Sequence, residues 1–424
     1  MEEWKEYKYT ELCTIIGGGT PKTSEPSYWG GDIPWLSVKD FGNGDKYVYS
    51  TEKTITDAGL NNSSTKLLQK DDIIISARGT IGAIAMLASK MAFNQSCFGI
   101  RSNAFVDQHY LYYLTKTKIT ELQKNSHGSV FDTITRETFA KIICSIPPVE
   151  EQKRIVSILS SLDDKIEVNK QINDNLEQQA QALFKSWFVD FEPFKDGEFV
   201  ESELGMIPKG WRVGNYNDII KETISGDWGK EKPEGNYTHK VACIRGCDFQ
   251  DIKNGLRGKT PERYILEKNY QSKHFCDKDI LVEISGGTAT VSTGRVCPVS
   301  QQLIDKFDGD IVCTNFCRLV RPVEGYGAYL FYSWLNKYNN KVMFGYENGT
   351  SGIKNFRIKD FTALEPVIIP PLDVISKFQV LIDVILMKMQ SNGTENQRLT
   401  ILRDTLLPRL MSGELKVNEI ENTI

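Results

Sequence analysis

The residues of this 424-residue chain that could do chemistry are its nine cysteines, four histidines and several Gly- and Pro-rich turns. Cys243/Cys247 and Cys313/Cys317 each have i, i+4 spacing, which on a strand points both thiols to one face, so a four-thiolate zinc site is conceivable. Zinc ribbons and fingers favour tighter CxxC turns, however, and small buried cysteines are common, so the expectation is no metal. The histidines, at positions 109, 127, 239 and 274, form no HExxH or other ligand spacing. Gly17-Gly-Gly-Thr-Pro-Lys-Thr23 lacks the spacing of a phosphate-binding loop. The double prolines stand in Ser145-Ile-Pro-Pro-Val and Ile368-Ile-Pro-Pro-Leu, not in the Asn/Asp-Pro-Pro-aromatic motif of an amino-methyltransferase. Asp279…Glu283-Ile-Ser has the carboxylates of a nuclease without its lysine. No residue is nominated as catalytic.

Apolar residues make up 40% of the chain and charged residues 25%, which suits a globular protein able to bury sizeable cores, and the length suggests two large domains. There is no run of 18 apolar residues. The start, Met1-Glu-Glu-Trp-Lys-Glu, lacks the features of a signal peptide, so a cytoplasmic location is expected. In that reducing compartment the cysteines should be free thiols. The net charge of −4 is unevenly spread: residues 1–148 net 0, residues 149–204 net −7, residues 205–372 net +4 and residues 373–424 net −1. The acid is concentrated in segments that read as helical, while the others are neutral to basic.

The elements that must position any site occur twice. Trp4, Tyr9 and Leu12 recur as Trp211, Tyr216 and Ile219, and Asp72-Ile-Ile recurs as Asp279-Ile-Leu, all 207 residues later. Asp40-Phe41 returns as Asp248-Phe249 at 208, Phe98 matches Phe316 at 218, and Tyr110-Leu-Tyr-Tyr matches Tyr329-Leu-Phe-Tyr at 219. Pro147-Pro148 recurs as Pro370-Pro371 at 223, as do Asn173 and Leu176 at Asn396 and Leu399. Order is kept, so the architecture reads A-B-A′-B′. The A units, 1–148 and 205–372, carry short β-rich runs such as Asp72 to Ser76 and Ile280 to Ile284. Aromatic helices over Gln108 to Thr117 and Ala328 to Asn336 should pack on those sheets.

The B units, 149–204 and 373–424, read as long helices entered from a double proline. Ile155, Leu162, Asn169, Leu176 and Leu183 are heptad-like, with Asn169 as a polar register device, and Phe378, Ile385, Leu399 and Leu406 continue the stripe in the second copy. Gly393, in Ser391-Asn-Gly-Thr394, predicts a break or kink. A stripe this long needs a partner of similar length, which favours pairing of B with B′ in an antiparallel coiled coil over each helix packing on its own domain. The fold class is therefore α+β: two mixed, sheet-rich domains with two long paired helices and an internal pseudo-two-fold repeat.

These residues resemble a known family. Gly18-Gly-Thr-Pro-Lys22, Ile33-Pro-Trp-Leu-Ser-Val-Lys-Asp40, Asp72-Ile-Ile-Ile-Ser-Ala-Arg-Gly-Thr-Ile-Gly82, Ile146-Pro-Pro-Val-Glu-Glu-Gln-Lys-Arg-Ile155 and Gly205-Met-Ile-Pro-Lys-Gly-Trp211, in this order, are similar to the specificity subunit of type I restriction-modification systems. The resemblance implies two target recognition domains, each reading half of a split DNA site. It also implies helices that act as a ruler for the unread spacer and dock two methyltransferase subunits. S-adenosylmethionine, ATP and Mg²⁺ would then belong to the methyltransferase and motor-nuclease partners, with this chain itself non-catalytic. Helices of some 40 residues extend about 60 Å, enough to separate two readers by more than one DNA turn.

Base reading uses Arg or Lys on guanine, Asn or Gln on adenine, and Ser or Thr as adaptable partners. On loops beside the repeated anchors, the first domain offers Lys39, Arg78, Thr80, Asn94, Gln95, Ser96, Ser129 and Thr133. The second offers Arg245, Ser285, Thr288, Thr290, Arg295, Asn315, Arg318, Asn348, Thr350, Ser351 and Lys354. Trp29, Trp35, Tyr47, Tyr49 and Trp228 could stack on bases but are assigned to the core. The tidy Arg78-Gly-Thr-Ile-Gly82 faces a divergent Ser285-Gly-Gly-Thr-Ala-Thr-Val-Ser-Thr-Gly294, so the two half-sites should differ. The rival functions are a coiled-coil scaffold that does not read DNA and, behind it, a stand-alone DNA-modifying enzyme.

Overall fold

The computed structural model describes residues 4–42, 44–126, 133–288, 290–349 and 354–421. The chain forms two compact units, Met1–Glu167 with Arg398–Ile424, and Val168–Gln397. In unit 1, the strands β1 (Cys13–Gly17), β2 (Trp29–Leu36), β3 (Ile73–Ser76), β4 (Ile84–Leu87), β5 (Met91–Phe93) and β6 (Cys97–Ser102) carry the framework. They fall into a five-stranded sheet ordered β1-β6-β3-β4 with Tyr47–Val48 at its edge, and a four-stranded sheet in which β2 lies parallel to β5. The run Ile73-Ile-Ile-Ser is buried on both faces because period-2 alternation sends Ile73 and Ile75 to a core shared with helix α1 (Gln108–Lys124), and Ile74 to one shared with Leu36 and Leu87.

Unit 2 repeats this. Its strands β7 (Ile220–Ser225), β8 (Tyr237–Ile244), β9 (Ile280–Glu283), β10 (Val296–Pro298), β11 (Ile311–Cys313) and β12 (Cys317–Pro322) form a sheet ordered β7-β12-β9-β10 and a three-stranded sheet in which β8 runs parallel to β11. Ile280 and Val282 face the core that holds helix α3 (Gly327–Asn339), and Leu281 faces the other. Both aromatic helices are longer than their periodic cores suggest. The repeat extends to the backbone: Asp71 and Lys278, the residues before the two signature aspartates, both adopt positive φ, 65° and 70°. Those aspartates are structural. Asp72 accepts from the Gln69 N–H and from the Arg101 guanidinium, and Asp279 accepts from the Cys276 N–H and from Arg321 at 3.0 Å. One offset is corrected. Cys97 pairs with Ser76 and Cys317 with Glu283, so these strands match at 220 residues, not at the 218 that aligns Phe98 with Phe316.

Two helices of 40 residues each, α2 (Val149–Phe188) and α4 (Leu372–Met411), pair antiparallel within each unit. In unit 2 the seam holds four buried asparagines. Asn169 donates from Nδ2 to Asn396 Oδ1 at 2.8 Å, Asn392 donates to Asn173 Oδ1 at 2.8 Å, and Asn173 donates to the Met389 carbonyl at 3.1 Å. The two Asn–Asn pairs exchange under the 223-residue repeat, so the pairing is self-complementary at this point. In unit 1 the seam holds a buried ion pair, Arg403 Nη1 to Asp163 Oδ1 at 2.7 Å, with the Tyr113 hydroxyl of α1 donating to the same carboxylate at 2.6 Å. Ile155 and Phe378 are buried. Leu162, Leu176, Leu183, Ile385, Leu399 and Leu406 are half-buried flanks of a seam whose deepest positions are Leu159, Ile166, Asn173 and Phe184.

Two helical expectations are corrected. The segment 149–204 is helical only to Phe188, and the strands Phe199–Ser202 and Gly205–Pro208 then form a hairpin. The break at Gly393 is absent: α4 runs through it, and the glycine instead admits the turn at Asn254–Gly255, since a Cβ would lie 2.1 Å from the Asn254 carbonyl oxygen.

Candidate nucleic-acid interface

In unit 1 the turn 94–96 between β5 and β6 is pinned by backbone hydrogen bonds on three sides. Gly19 N–H donates to Phe93 O at 3.0 Å, Asn94 N–H to Leu36 O at 2.9 Å, and Ala77 N–H to Ser96 O at 2.7 Å. Gly18 must be glycine here, because a Cβ would lie 2.1 Å from the Asn94 carbonyl oxygen. Around the turn opens a cleft of about 460 Å³ lined by Lys39, Arg78, Thr80, Asn94 and Ser96, five of the residues nominated from sequence. Trp35, Ser37, Val38, Glu52, Lys53 and Gly79 complete its lining. Gln95, on the same turn, is held by the Thr20 hydroxyl. Thr133 precedes Ile134, whose N–H donates to Ala77 O at 3.1 Å, so it stands beside Arg78. Ser129 lies outside the described residues. An exposed guanidinium, an ammonium, an amide and hydroxyls on one concave face can pair with guanine and adenine edges or with phosphates.

Unit 2 rebuilds the same frame. Asp227 N–H donates to Cys313 O at 2.8 Å, Thr314 N–H to Ile244 O at 2.9 Å, and Ile284 N–H to Phe316 O at 2.8 Å, each bond the counterpart of one above. Gly226 repeats Gly18, with a Cβ position 2.0 Å from the Thr314 carbonyl oxygen. Even the contact of Trp35 Nε1 with Gly19 O, 3.1 Å, has its counterpart in Cys243 Sγ with Asp227 O, 3.3 Å. The matching cleft, about 410 Å³, is lined by Arg245, Ser285 and Asn315 with Trp228, Gly246, Glu283, Thr314 and Phe316.

The remaining nominated residues of unit 2 divide by what holds them. Arg245 is bidentate to Asp248 and also donates to Lys259 O at 2.7 Å. Arg295 is bidentate to Glu283, 2.8 and 2.7 Å, and that hydrogen-bonded carboxylate raises the pKa of its guanidinium. Lys354 pairs with Glu347 at 2.8 Å, and Arg318 donates to the Asn315 and Cys317 carbonyls. Each of these cations thus has hydrogen-bond partners within the chain. Thr288 accepts from Thr290 and Val291 N–H at the tip of its own turn, away from the cleft lining. Asn348 is exposed on a strand paired with Asn355. Thr350 and Ser351 lie outside the described residues.

Sequence reasoning missed Phe316, which stands 65% exposed at the turn, and set Trp228 aside, which stacks on Arg263 with its guanidinium carbon 3.8 Å from the ring centre. The signal was available: a phenylalanine between two strand ends at a repeated turn has no core to enter. Among the described residues no group of three His, Cys, Asp or Glu side chains is placed to hold a metal. Cys243, Cys313 and Cys317 are buried while Cys247 is exposed, and burial pushes the thiols of Cys243 and Cys317 up to about 12. No helix among the described residues is long and apolar enough to cross a membrane.

The comparisons agree with this architecture. Residues 1–178 match the type I restriction modification DNA specificity domain. The chain is 31% identical to the type I restriction enzyme MjaIX specificity subunit of Methanocaldococcus jannaschii, covering 99% of this chain and 95% of that one. It is 25% identical to the HindI specificity subunit of Haemophilus influenzae, covering 98% and 100%. In fold it is similar to the crystal structure of the type I restriction-modification S subunit from M. genitalium, with a TM-score of 0.50, 15% identity and 96% of both chains covered. The repeated frame, the paired helices and 31% identity to a named relative over nearly the whole of both chains together place this chain in the family of type I restriction enzyme specificity subunits.

Proposed function

We propose that the chain is the non-catalytic reader of a type I restriction-modification complex, and that each unit reads one half of a bipartite duplex site through the cleft at its pinned turn. The observation that carries this reading is the pair of clefts: the same backbone frame, down to individual hydrogen bonds, surrounds different linings in the two units. A frame kept constant under variable side chains is what two readers of unlike sequences require. The helices α2 and α4 set the unread spacer and hold two methyltransferase subunits, with a motor-nuclease subunit able to join. Adenine methylation with S-adenosylmethionine, and ATP- and Mg²⁺-dependent cleavage, lie in those partners, and the assembly works in the cytoplasm.

The test is to co-express the chain with its methyltransferase subunit and sequence the methylome of the host. The expected result is one bipartite motif with unlike halves, one methylated adenine in each, and two methyltransferase copies per chain in the purified complex. A complex that retains no duplex DNA at low salt would overturn the reading in favour of a protein scaffold.

A further inference from the structure

The two clefts differ in what they can say to a base pair. Lys39 and Arg78 in unit 1 line their cleft with cationic donors. In unit 2, Arg245 is spent on Asp248 and Lys259 O, and Ser285 donates to Asn355 Oδ1 at 2.5 Å. With Trp228 stacked on Arg263, the lining side chains without a hydrogen-bonded or stacked partner among the described residues include Asn315 and Phe316, at the rim on the turn that answers Gln95-Ser96 at the 220-residue offset. Phe316 is 65% exposed although its backbone is locked, with its N–H donating to Thr314 Oγ1 at 3.3 Å and its carbonyl accepting from Ile284 N–H. Its backbone therefore cannot shift to bury the ring. In the major groove the characteristic apolar partner of an aromatic ring held out of the core is the 5-methyl group of thymine, and an adjacent asparagine amide matches adenine.

We infer that Phe316 reads a thymine 5-methyl group in the half-site of unit 2, with Asn315 beside it on an adenine. This rests on the proposal that the unit-2 cleft reads DNA. It makes that half-site depend on apolar contact where the half-site of unit 1 depends on charged donors.

The experiment uses the chain in complex with its methyltransferase subunits and duplexes carrying the motif found by methylome sequencing. Each thymine of both half-sites is replaced in turn by deoxyuridine, which removes the methyl group alone. For the wild-type complex one position in one half-site should lose about fourfold in affinity, the effect of one buried methyl group. Phe316→Ala should weaken binding to the thymine duplex by a similar factor and bind the thymine and deoxyuridine duplexes equally, whereas Phe316→Leu should keep part of the difference. Sequence-specific binding with no deoxyuridine-sensitive position, or sensitivity that survives Phe316→Ala, would overturn the inference while leaving the reading of DNA by this unit standing. Loss of all sequence preference in the wild-type complex would instead overturn that reading. The deoxyuridine scan needs no variant, so misfolding of one cannot obscure it.

Discussion

At the scale of residues, the frame and the reading groups separate cleanly. Gly18→Ala should destabilise unit 1 by about 1–3 kcal/mol, because the new methyl group meets a pinned carbonyl that cannot retreat. Thermal melting of the complex checks this. Arg78→Ala should leave melting unchanged and lower affinity for the cognate duplex about tenfold, as loss of one guanine or phosphate partner does. Lys165→Ala on α2 should do neither. Equal losses from Arg78→Ala and Lys165→Ala would refute the placement of the interface. His109 on α1 gives a pH signature. Burial, then the neighbouring Lys46 charge, lower its pKa below 6.5, and its Nδ1 is buried without a partner among the described residues. The unfolded chain takes up the proton near pH 6.5 and the folded chain only lower, so unit 1 loses stability as pH falls below about 6.5. His109→Gln should flatten the melting temperature between pH 7.5 and 5.5, and an unchanged slope would sink this assignment. Residue types at loop positions were legible in the sequence, and five of them share one cleft. The ion pairs that consume Arg245, Arg295 and Lys354 were not, because a partner three, twelve or seven residues away is settled by strand register and turn geometry that periodicity does not encode.

At the scale of elements, the asparagine ladder is the feature with the sharpest consequences. Asn173→Leu should cost about 2 kcal/mol, since it strands the Asn392 amide in a seam where Asn169 Oδ1 and Asn392 Oδ1 already lack partners among the described residues. Replacing Asn169, Asn173, Asn392 and Asn396 together by leucine should raise the melting temperature above that of the single variant and loosen the register, because leucines do not distinguish neighbouring pairings. Melting of both variants, with cross-linking across the seam, decides this. The long helices were legible from their apolar stripe, and Asn169 from its place in the heptad. The second core row, Leu159, Ile166 and Asn173, keeps the seven-residue spacing four residues on from Ile155, Leu162 and Asn169, and it was passed over because periodicity marks which residues repeat and not which neighbour each will meet. Gly393 misleads for a related reason: in sequence it reads as weakness, whereas its place is set by a turn 138 residues earlier in the chain.

At the scale of the whole molecule, charge and length make the predictions. Residues 1–148 have no net charge and the chain as a whole has −4, so phosphate neutralisation by this chain is slight. Alone it should bind any duplex no more tightly than about micromolar, and in complex with methyltransferase it should reach about 10⁻⁸ M or better on its cognate site. Fluorescence anisotropy at fixed salt measures both, and tight binding by the isolated chain would contradict the sharing of affinity. Adding seven residues to each long helix lengthens it by about 10 Å, and the methylome motif should gain about three base pairs of spacer with both half-sites unchanged. Altered half-site bases would overturn the ruler. The A-B-A′-B′ plan was legible because the repeat leaves anchors at near-constant spacing. The 220-residue match of the reading turns was hidden by the swap of Ser96 for Phe316, which placed a phenylalanine where the alignment sought Phe98.

The pinned turns have a consequence for how such a protein changes over generations. Gly19, Leu36 and Ala77 hold one tip, and Asp227, Ile244 and Ile284 hold the other, through main-chain groups, with the side chains of Asn94 and Thr314 accepting from the Ser96 and Phe316 N–H. The side chains at 96, 315 and 316 take no part in that frame and are free to drift. If the clefts read DNA as proposed, a single codon change at one of these positions alters a letter of the recognised sequence with little folding penalty, and the host acquires a new methylation mark, and a new line between self and foreign DNA, in one mutational step.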